Sequence, residues 1–211
     1  MKERPIIFST PMVQAIIEGR KTQTRRVVNP DIVNGFDFER DGSLQIMTIE
    51  DKHGEQVPIL DLCPHGKPGD LLWVRETTII APKNWVKKRF NNITDSDGDG
   101  RVIQYLATHP NTDAARNYGL KKTPSIHMPK WAARIWLEIT GVRVERVQEI
   151  SHADAVAEGY EECEPNNYGT GSRARDWFAC LWDSINGKKE GCSWAENPWV
   201  WIVEFKRVEG K

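Results

Sequence analysis

Cysteine is scarce in this sequence: there are four in 211 residues, and no two of them form a C-x-x-C pair. They are Cys63, Cys163, Cys180 and Cys192. The start of the chain lacks a signal-peptide pattern, because charged residues precede only a few apolar ones. We therefore expect reduced thiols and a cytoplasmic protein.

Two segments resemble parts of metal-binding motifs, and each lacks some of the ligands that the complete motif supplies. Cys63 and His65 lie two residues apart, but no second pair at zinc-ligand spacing accompanies them. The segment Asp95 to Gly100 follows the first half of a calcium loop, yet Leu106 stands at the twelfth position, where a bidentate glutamate is needed. We interpret the segment as an acidic turn, and the sequence predicts no metal and no cofactor.

The chain also lacks long apolar runs and an excess of charge of one sign. No run approaches the ~18–20 residues that cross a bilayer, so no membrane partner is expected. Basic and acidic residues number 29 and 30. A protein that grips long nucleic acid without specificity usually carries a larger positive excess. If nucleic acid is the partner, contact is local, and a nucleoside or a short RNA fits as well as a duplex.

Apolar residues are plentiful. They make up 39% of the chain, with nine tryptophans and six phenylalanines, which is enough for a substantial core. A length of 211 residues suits one domain with insertions.

A short helix is predicted near the start of the chain. Thr10 followed by Pro11 is a typical helix start. Val13 and Ile16 then recur at helical spacing, and Gly19 is placed to end the helix in the left-handed conformation.

The residues after this helix form a basic segment, for which we predict a turn. In a strand, Lys21 and Thr24 would face opposite sides because three is an odd step, whereas in a turn they converge. A lysine, a threonine hydroxyl and flanking arginines suit an anionic or acyl-bearing ligand. The candidate ligand-binding arginines are Arg20, Arg25 and Arg26. A solvated basic loop is the alternative.

A second marked segment follows Gly69 and Asp70, which favour a turn. Leu71 to Glu76 is typical of a buried strand, and successive side chains at its end face opposite ways. Either Arg75 or Glu76 can therefore face a ligand while the other faces away. The alternative is a buried ion pair that stabilises a barrel strand. The candidate substrate-binding residues here are Trp73, Arg75 and Glu76.

The second half of the chain alternates more regularly. Apolar residues at every second position predict two strands over 135–147, turned at Thr140 and Gly141. Ser151 with Asp154 three residues later predicts a capped helix that ends at Gly159. Glu158 then lies at a helix C-terminus, where the helix dipole disfavours an anion.

Two further elements and one irregular region complete the pattern. A helix from about Ser172 to Ile185 and a strand from Trp199 to Lys206 are predicted. Within 82–130, basic residues interleaved with aromatics suit a single nucleic-acid strand, and a solvated insertion is the alternative. The element order predicts an α+β fold, a small mixed β-barrel with flanking helices.

The basic segment after the first helix and the segment from Gly69 to Glu76 together resemble the ASCH domain family of the PUA-like superfamily. The resemblance is to the type carried by phages and prophages. The resemblance covers about 4–30, 66–78, 128–160 and 197–207, with insertions at about 31–66, 82–128 and 161–172 in a single domain spanning 1–211. It implies a PUA-like barrel with a cleft that faces RNA or a modified nucleoside.

One bacterial branch of that family is an amidohydrolase that removes the acetyl group of N(4)-acetylcytidine. Its Gly-Arg-Lys-Thr-x-Thr motif matches Lys21 and Thr24. Its Thr-x-x-His-Ala-x-x-x-Glu helix matches 151–158, with one residue fewer before His152, so that Glu158 is the counterpart of the glutamate. The resemblance implies a threonine nucleophile, a lysine base and a glutamate acid. Because this chain is about twice as long as that enzyme, a non-catalytic RNA-binding module and a ribonuclease remain alternatives.

Overall fold

The structure is a computed structural model, which describes residues 1–33, 48–50, 55–81, 95–96, 102–117, 119–161 and 170–209. The strands are β1 (Glu3–Ile7), β2 (Gln23–Val27), β3 (Thr48–Glu50), β4 (Gln56–Pro58), β5 (Leu71–Arg75), β6 (Thr78–Ala81), β7 (Asp95–Ser96), β8 (Val102–Tyr105), β9 (Lys122–Thr123), β10 (Trp136–Arg146) and β11 (Trp199–Val208). The α-helices are α1 (Thr10–Ile17), α2 (Pro30–Val33), α3 (Asp113–Asn117), α4 (His152–Ala157) and α5 (Thr170–Asn186). This mixture of sheets and helices confirms the α+β class. Closure of a sheet into a barrel stays a prediction.

Contacts between residues divide the chain into two compact units. Unit 1 comprises Met1–Lys2, Arg20–Asp70 and Glu138–Lys206. Unit 2 comprises Glu3–Gly19, Leu71–Leu137 and Arg207–Lys211.

Unit 1 is built on β10, β11 and β2, which lie side by side in that order. β2 is antiparallel to β11, with Arg25 opposite Ile202 and Thr24 opposite Val203. Helices α4 and α5 pack against each other and share one apolar cluster with β11. The fully buried members of that cluster are Val147, Ile150, Ala155, Ala174, Phe178, Trp182, Val200 and Ile202.

Unit 2 contains a parallel pair, β1 and β5, and an antiparallel sheet in the order β7-β8-β6-β9. A smaller core of Ile103, Tyr105, Met128 and Ala132 lies here. The sheet of β7, β8, β6 and β9 was not expected from the irregular composition of this part of the chain. Its strands have two to four residues, too short to display a clear alternation.

Several predicted elements are confirmed at or near their expected bounds. The Ser151 side chain and Asp154 form the expected capping box at the start of α4. Gly19 and Gly159 adopt positive φ angles of 77° and 103° after α1 and α4. The last helix and the last strand extend two residues or fewer beyond their predictions at each end.

Two local predictions are wrong. The basic segment is not a turn, because β2 already begins at Gln23, where its backbone pairs with β11. The predicted turn at Thr140 and Gly141 does not form either, and β10 runs continuously through it. A Cβ on Gly141 would lie 2.6 Å from Glu204 Oε2, so glycine here leaves room for a neighbouring side chain within a strand.

Some expectations fall outside the described residues: most of the acidic turn, Cys163, and the basic and aromatic residues over 83–90. Of the helices within the described ranges, none is long and apolar enough to span a membrane.

Candidate active site

The start of β2 and the end of α4 meet in unit 1 through their backbones. Lys21 and Glu158 form an isolated antiparallel bridge. Next to it, Thr22 N donates to Ala157 O at 2.8 Å, and Phe205 N donates to Thr22 O at 2.8 Å. Residues 137 positions apart are thus held side by side by the main chain.

Glu158 is the C-cap of α4, and its N–H donates to Asp154 O at 2.8 Å. An anion at this end of a helix is opposed by the helix dipole. The structure compensates it with two nearby cations, Lys21 just before β2 and Arg25 within β2.

The Lys21 ammonium group contacts both the side chain and the main chain of Glu158. Nζ lies 2.6 Å from Oε2 and donates to the Glu158 carbonyl oxygen at 2.9 Å. Lys21 and Glu158 are each only 3% exposed. A charged pair this deeply buried has lost most of its hydration, so its proton distribution depends on the protein around it.

Burial lowers the pKa of Lys21 below its ordinary value. The charge of Glu158 and its hydrogen bond act in the opposite direction, and the charges of Arg26 and Arg25 add to the lowering. The net effect makes the neutral amine more accessible than on a surface lysine, which is what a general base requires.

Arg25 supplies the second contact to Glu158. Its Nη1 donates to Glu158 Oε1 at 3.3 Å, while Nη2 lies 3.4 Å from Asp154 Oδ2 and 3.7 Å from Glu145 Oε2. The guanidinium also lies over the ring of Phe178, 5.6 Å from its centroid. Its side chain has no exposed surface.

Asp154 connects this group to a further arginine. Arg143 Nη2 donates to Asp154 Oδ1 at 2.8 Å, and Gln23 Nε2 donates to the same oxygen at 3.1 Å. Burial by itself would raise the pKa of Asp154, but hydrogen bonds from Ser151 and Gln23 and the charge of Arg25 outweigh it and lower the pKa to about 2. Asp154 is therefore ionised at neutral pH.

Thr24 lies on the same strand but is not joined to this pair. Lys21, Gln23 and Arg25 all contact residues of α4 or its C-cap, so strand alternation places Thr24 on the opposite face of β2. Thr24 is 3% exposed. Within the described part of the chain, no hydrogen bond links its hydroxyl to Lys21 or Glu158, and its role as nucleophile stays a prediction.

The other two arginines of the basic segment are also engaged by the protein. Arg20 Nη1 donates to Gly159 O at 3.0 Å. Burial lowers the pKa of Arg26, and the charge of Glu158 acts in the opposite direction. Arg20 and Arg25 thus reach the C-terminal end of α4, whereas Arg26 is influenced by the charge of Glu158.

Three predicted binding residues belong to unit 2. Glu76 is 1% exposed and accepts two hydrogen bonds from Arg134, Nε to Oε1 at 2.8 Å and Nη2 to Oε2 at 3.0 Å. The Arg75 guanidinium lies 5.5 Å from the centroid of the Trp73 ring and donates to the Ile126 carbonyl. Their role in binding substrate stays a prediction.

Sequence reasoning missed Arg134, Arg143 and Glu145. Arg143 and Glu145 do carry a signal, since they alternate with Val142 and Val144 along a strand and therefore share one face. No comparable signal marks Arg134. Over the ranges that the structure describes, no group of three or more His, Cys, Asp or Glu side chains is placed to hold a metal ion.

No family model and no curated protein matches the chain. Among solved structures it is similar to the ASCH domain from Lactobacillus crispatus JV V101, with 13% sequence identity over 98% of this chain and 79% of that chain and a TM-score of 0.36. At this TM-score the two chains have too little of their backbone trace in common for the similarity to bear on fold or function.

Proposed function

We propose that the chain hydrolyses an amide bond and removes the acyl group from an N-acylated nucleoside, with N(4)-acetylcytidine as the model substrate. One observation carries the proposal: Lys21 Nζ, buried and with a lowered pKa, lies 2.6 Å from Glu158 Oε2. This is a base and an acid within proton-transfer distance of each other.

The burial of the pair favours its chemical use. An ammonium–carboxylate pair and a neutral amine–carboxylic acid pair carry the same total charge, and desolvation disfavours the charged version. In the neutral version, Lys21 has a lone pair with which to accept a proton and Glu158 has a proton to give.

The proposed reaction begins with Lys21 accepting the proton of the Thr24 hydroxyl as Thr24 Oγ attacks the acyl carbon. The carbon–nitrogen bond breaks, and Glu158 protonates the exocyclic nitrogen that leaves. Water then attacks the acyl–threonine ester, which releases the carboxylic acid and restores the hydroxyl. Strand alternation places Thr24 on the opposite face of β2 from Lys21, and Thr24→Ala therefore tests this step separately from the Lys21–Glu158 pair.

The same geometry weighs against an RNA-binding module that uses the basic segment to hold phosphate. Arg25 has no exposed surface and three carboxylates around it. Arg20 donates to the main chain. Guanidinium groups engaged in this way are poor phosphate ligands, because a bound phosphate would have to displace the protein's own acceptors.

The test is incubation of the purified protein with N(4)-acetylcytidine and, separately, with unmodified RNA. We expect cytidine and acetate from the first and no cleavage of the second; cleavage of the RNA would favour the ribonuclease. Lys21→Ala and Glu158→Gln should each reduce turnover by about 10²–10⁴-fold, as loss of general acid–base catalysis does.

A matched control is available in the same unit. Lys206 Nζ lies 3.1 Å from Glu138 Oε2, with 63% and 36% of the two side chains exposed. Lys206→Ala breaks a Lys–Glu pair of the same chemistry on the surface and should leave turnover unchanged. Thr24→Ala tests the nucleophile: unchanged turnover would show that water, and not Thr24, attacks the acyl carbon.

A further inference from the structure

Arg25 has no surface from which to contact a ligand, since its side-chain exposure is zero. It lies directly after the Gly-Arg-Lys-Thr-x-Thr motif that matches Lys21 and Thr24. Its guanidinium nevertheless contacts the carboxylate that Lys21 also contacts. This combination requires a role other than direct binding.

We propose that Arg25 is a positioning residue that orients the Glu158 carboxylate toward Lys21. The inference rests on the proposed function of that pair. The two oxygens of the carboxylate are divided between two cations, with Oε1 3.3 Å from Arg25 Nη1 and Oε2 2.6 Å from Lys21 Nζ. Rotation of the carboxylate would separate Oε2 from the amine, and the contact to Arg25 opposes that rotation.

Arg25 is suited to this role because its own position is fixed from three sides. Asp154 on α4 and Glu145 on β10 attract it at 3.4 and 3.7 Å. The ring of Phe178 on α5 covers it at 5.6 Å. Within the described residues its Nε and Nη2 atoms have no hydrogen bond, so charge and packing hold the guanidinium in place.

The charge of Arg25 has a second consequence for Lys21. A fixed positive charge close to an ammonium group disfavours its protonated form, and Arg25 contributes to the lowered pKa of Lys21 in this way. The charged groups that act on Lys21 besides Glu158 are Arg25 and Arg26 of β2, and Asp154 of α4 and Glu145 of β10 contact Arg25 in turn. Arg25 contacts all three carboxylates of the group, Glu158, Asp154 and Glu145.

The experiment follows the protonation of Lys21 by NMR in protein labelled with ¹⁵N-lysine. The Lys21 resonance is identified by its absence in Lys21→Arg. In Arg25→Gln the Glu158 carboxylate is free to rotate away from the amine, and Glu158 raises the pKa of Lys21 more than Arg25 lowers it. The pH midpoint of that resonance should therefore fall, and the rise of the deacetylation pH profile should move in the same direction. An unchanged midpoint in folded Arg25→Gln would overturn the proposal.

Arg143→Gln is the matched control. Arg143 contacts the same Asp154 and Glu145 at 2.8 and 2.6 Å, but Glu158 is not among its contacts in the described part of the chain. It should leave the Lys21 midpoint in place. An equal shift in Arg143→Gln and Arg25→Gln would show a general loss of structure and would also contradict the proposal.

Arg25→Lys separates orientation from charge and guards against a variant that fails to fold. It retains the positive charge but lacks the guanidinium Nη1 donor that reaches Oε1. We expect the midpoint to fall even though the charge is kept, because the carboxylate is no longer held against Lys21, while kcat falls about tenfold and KM is unchanged. Wild-type kcat in Arg25→Lys would overturn the orienting role.

The proposed function and the proposed role of Arg25 can be disproved independently of each other. If the wild-type protein does not deacetylate the nucleoside, the proposed function is wrong, but the midpoint of Lys21 in Arg25→Gln still reports whether Arg25 controls the pair. If the wild type is active and the midpoint does not move, only the role of Arg25 is wrong.

Discussion

Each unit of the chain buries a glutamate against cations, and the two sites are built differently. In unit 2, Glu76 is 1% exposed and receives both donors of one guanidinium, Arg134, at 2.8 and 3.0 Å. In unit 1, Glu158 is 3% exposed and is shared between Lys21 at 2.6 Å and Arg25 at 3.3 Å. Burial of a carboxylate is common to both, and the identity and geometry of the partner differ.

The difference separates a structural pair from a reactive one. An arginine keeps its proton under all ordinary conditions, so a bidentate Arg–Glu pair cannot exchange protons at neutral pH. A buried lysine readily changes its protonation state. Arg134 is held further by Tyr105, whose ring centroid lies 4.0 Å away, and by Thr108, which accepts a hydrogen bond from it at 3.1 Å.

The largest expected effect comes from making the unit 1 site resemble the unit 2 site. Lys21→Arg keeps the positive charge next to Glu158 but removes a group that can act as a base. We expect deacetylation to fall by about 10²–10⁴-fold, measured as kcat at pH 8 with folding checked by circular dichroism. Activity close to that of the wild type would mean that Lys21 acts through its charge alone.

A smaller effect concerns the free energy of unfolding when each glutamate is neutralised. Glu76→Gln leaves a guanidinium that cannot lose its proton, and breaking a buried pair in this way costs about 3–5 kcal/mol. Glu158→Gln should cost less, because Lys21 can shed its proton. Urea unfolding at pH 8 compares the two, and an equal loss would show that Lys21 is as firmly protonated as Arg134.

A third prediction concerns the stability that ionised Asp154 contributes to the fold and how it depends on pH. The folded pKa of Asp154 is about 2, against an ordinary value of 3.8. A lowered carboxylate pKa stabilises the fold above the ordinary value, and this stability disappears as the pH falls toward 2. Asp154→Asn should therefore cost about 2 kcal/mol at pH 7. The wild type and the variant should converge in urea unfolding between about pH 4 and pH 2, and a constant difference would exclude the linkage.

The smallest effect concerns the glycines that follow α1 and α4. Gly19 has φ 77°, and a Cβ built on it meets no atom within 4 Å, so Gly19→Ala should cost only the conformational penalty of about 1 kcal/mol. Gly159 has φ 103°, farther from the left-handed region that other residues tolerate, and Gly159→Ala should cost more. Thermal unfolding compares them, and the reverse order would show that packing decides.

The sequence predicted the elements of the site better than their orientation. Capping residues such as Ser151 and Asp154 act over three positions, so α4 and its end at Gly159 followed from local chemistry. The prediction that Lys21 and Glu158 belong to one site came from motifs, and the structure brings the two into contact. The turn predicted for 20–26 was wrong because pairing with β11, about 180 positions away, converts the segment into a strand.

The partners of the buried charged residues could not be predicted from the sequence, for a related reason. Nothing local in the sequence indicates that Arg25 reaches Asp154 and Glu145, or that Glu76 reaches Arg134 across 58 positions. Such pairs depend on which strand faces which helix, and charge patterns within one element do not contain that information. The short strands of unit 2 were missed because two to four residues show too little alternation to identify.

The bond from Lys21 Nζ to the main-chain carbonyl of Glu158 has a practical consequence. It does not depend on the side chain at position 158, so truncation to alanine leaves the amine anchored beside the space that the carboxyl group occupied. Formate is a small carboxylate with the same functional group as the lost side chain. Chemical rescue of Glu158→Ala by added formate would then restore the missing acid without restoring the residue.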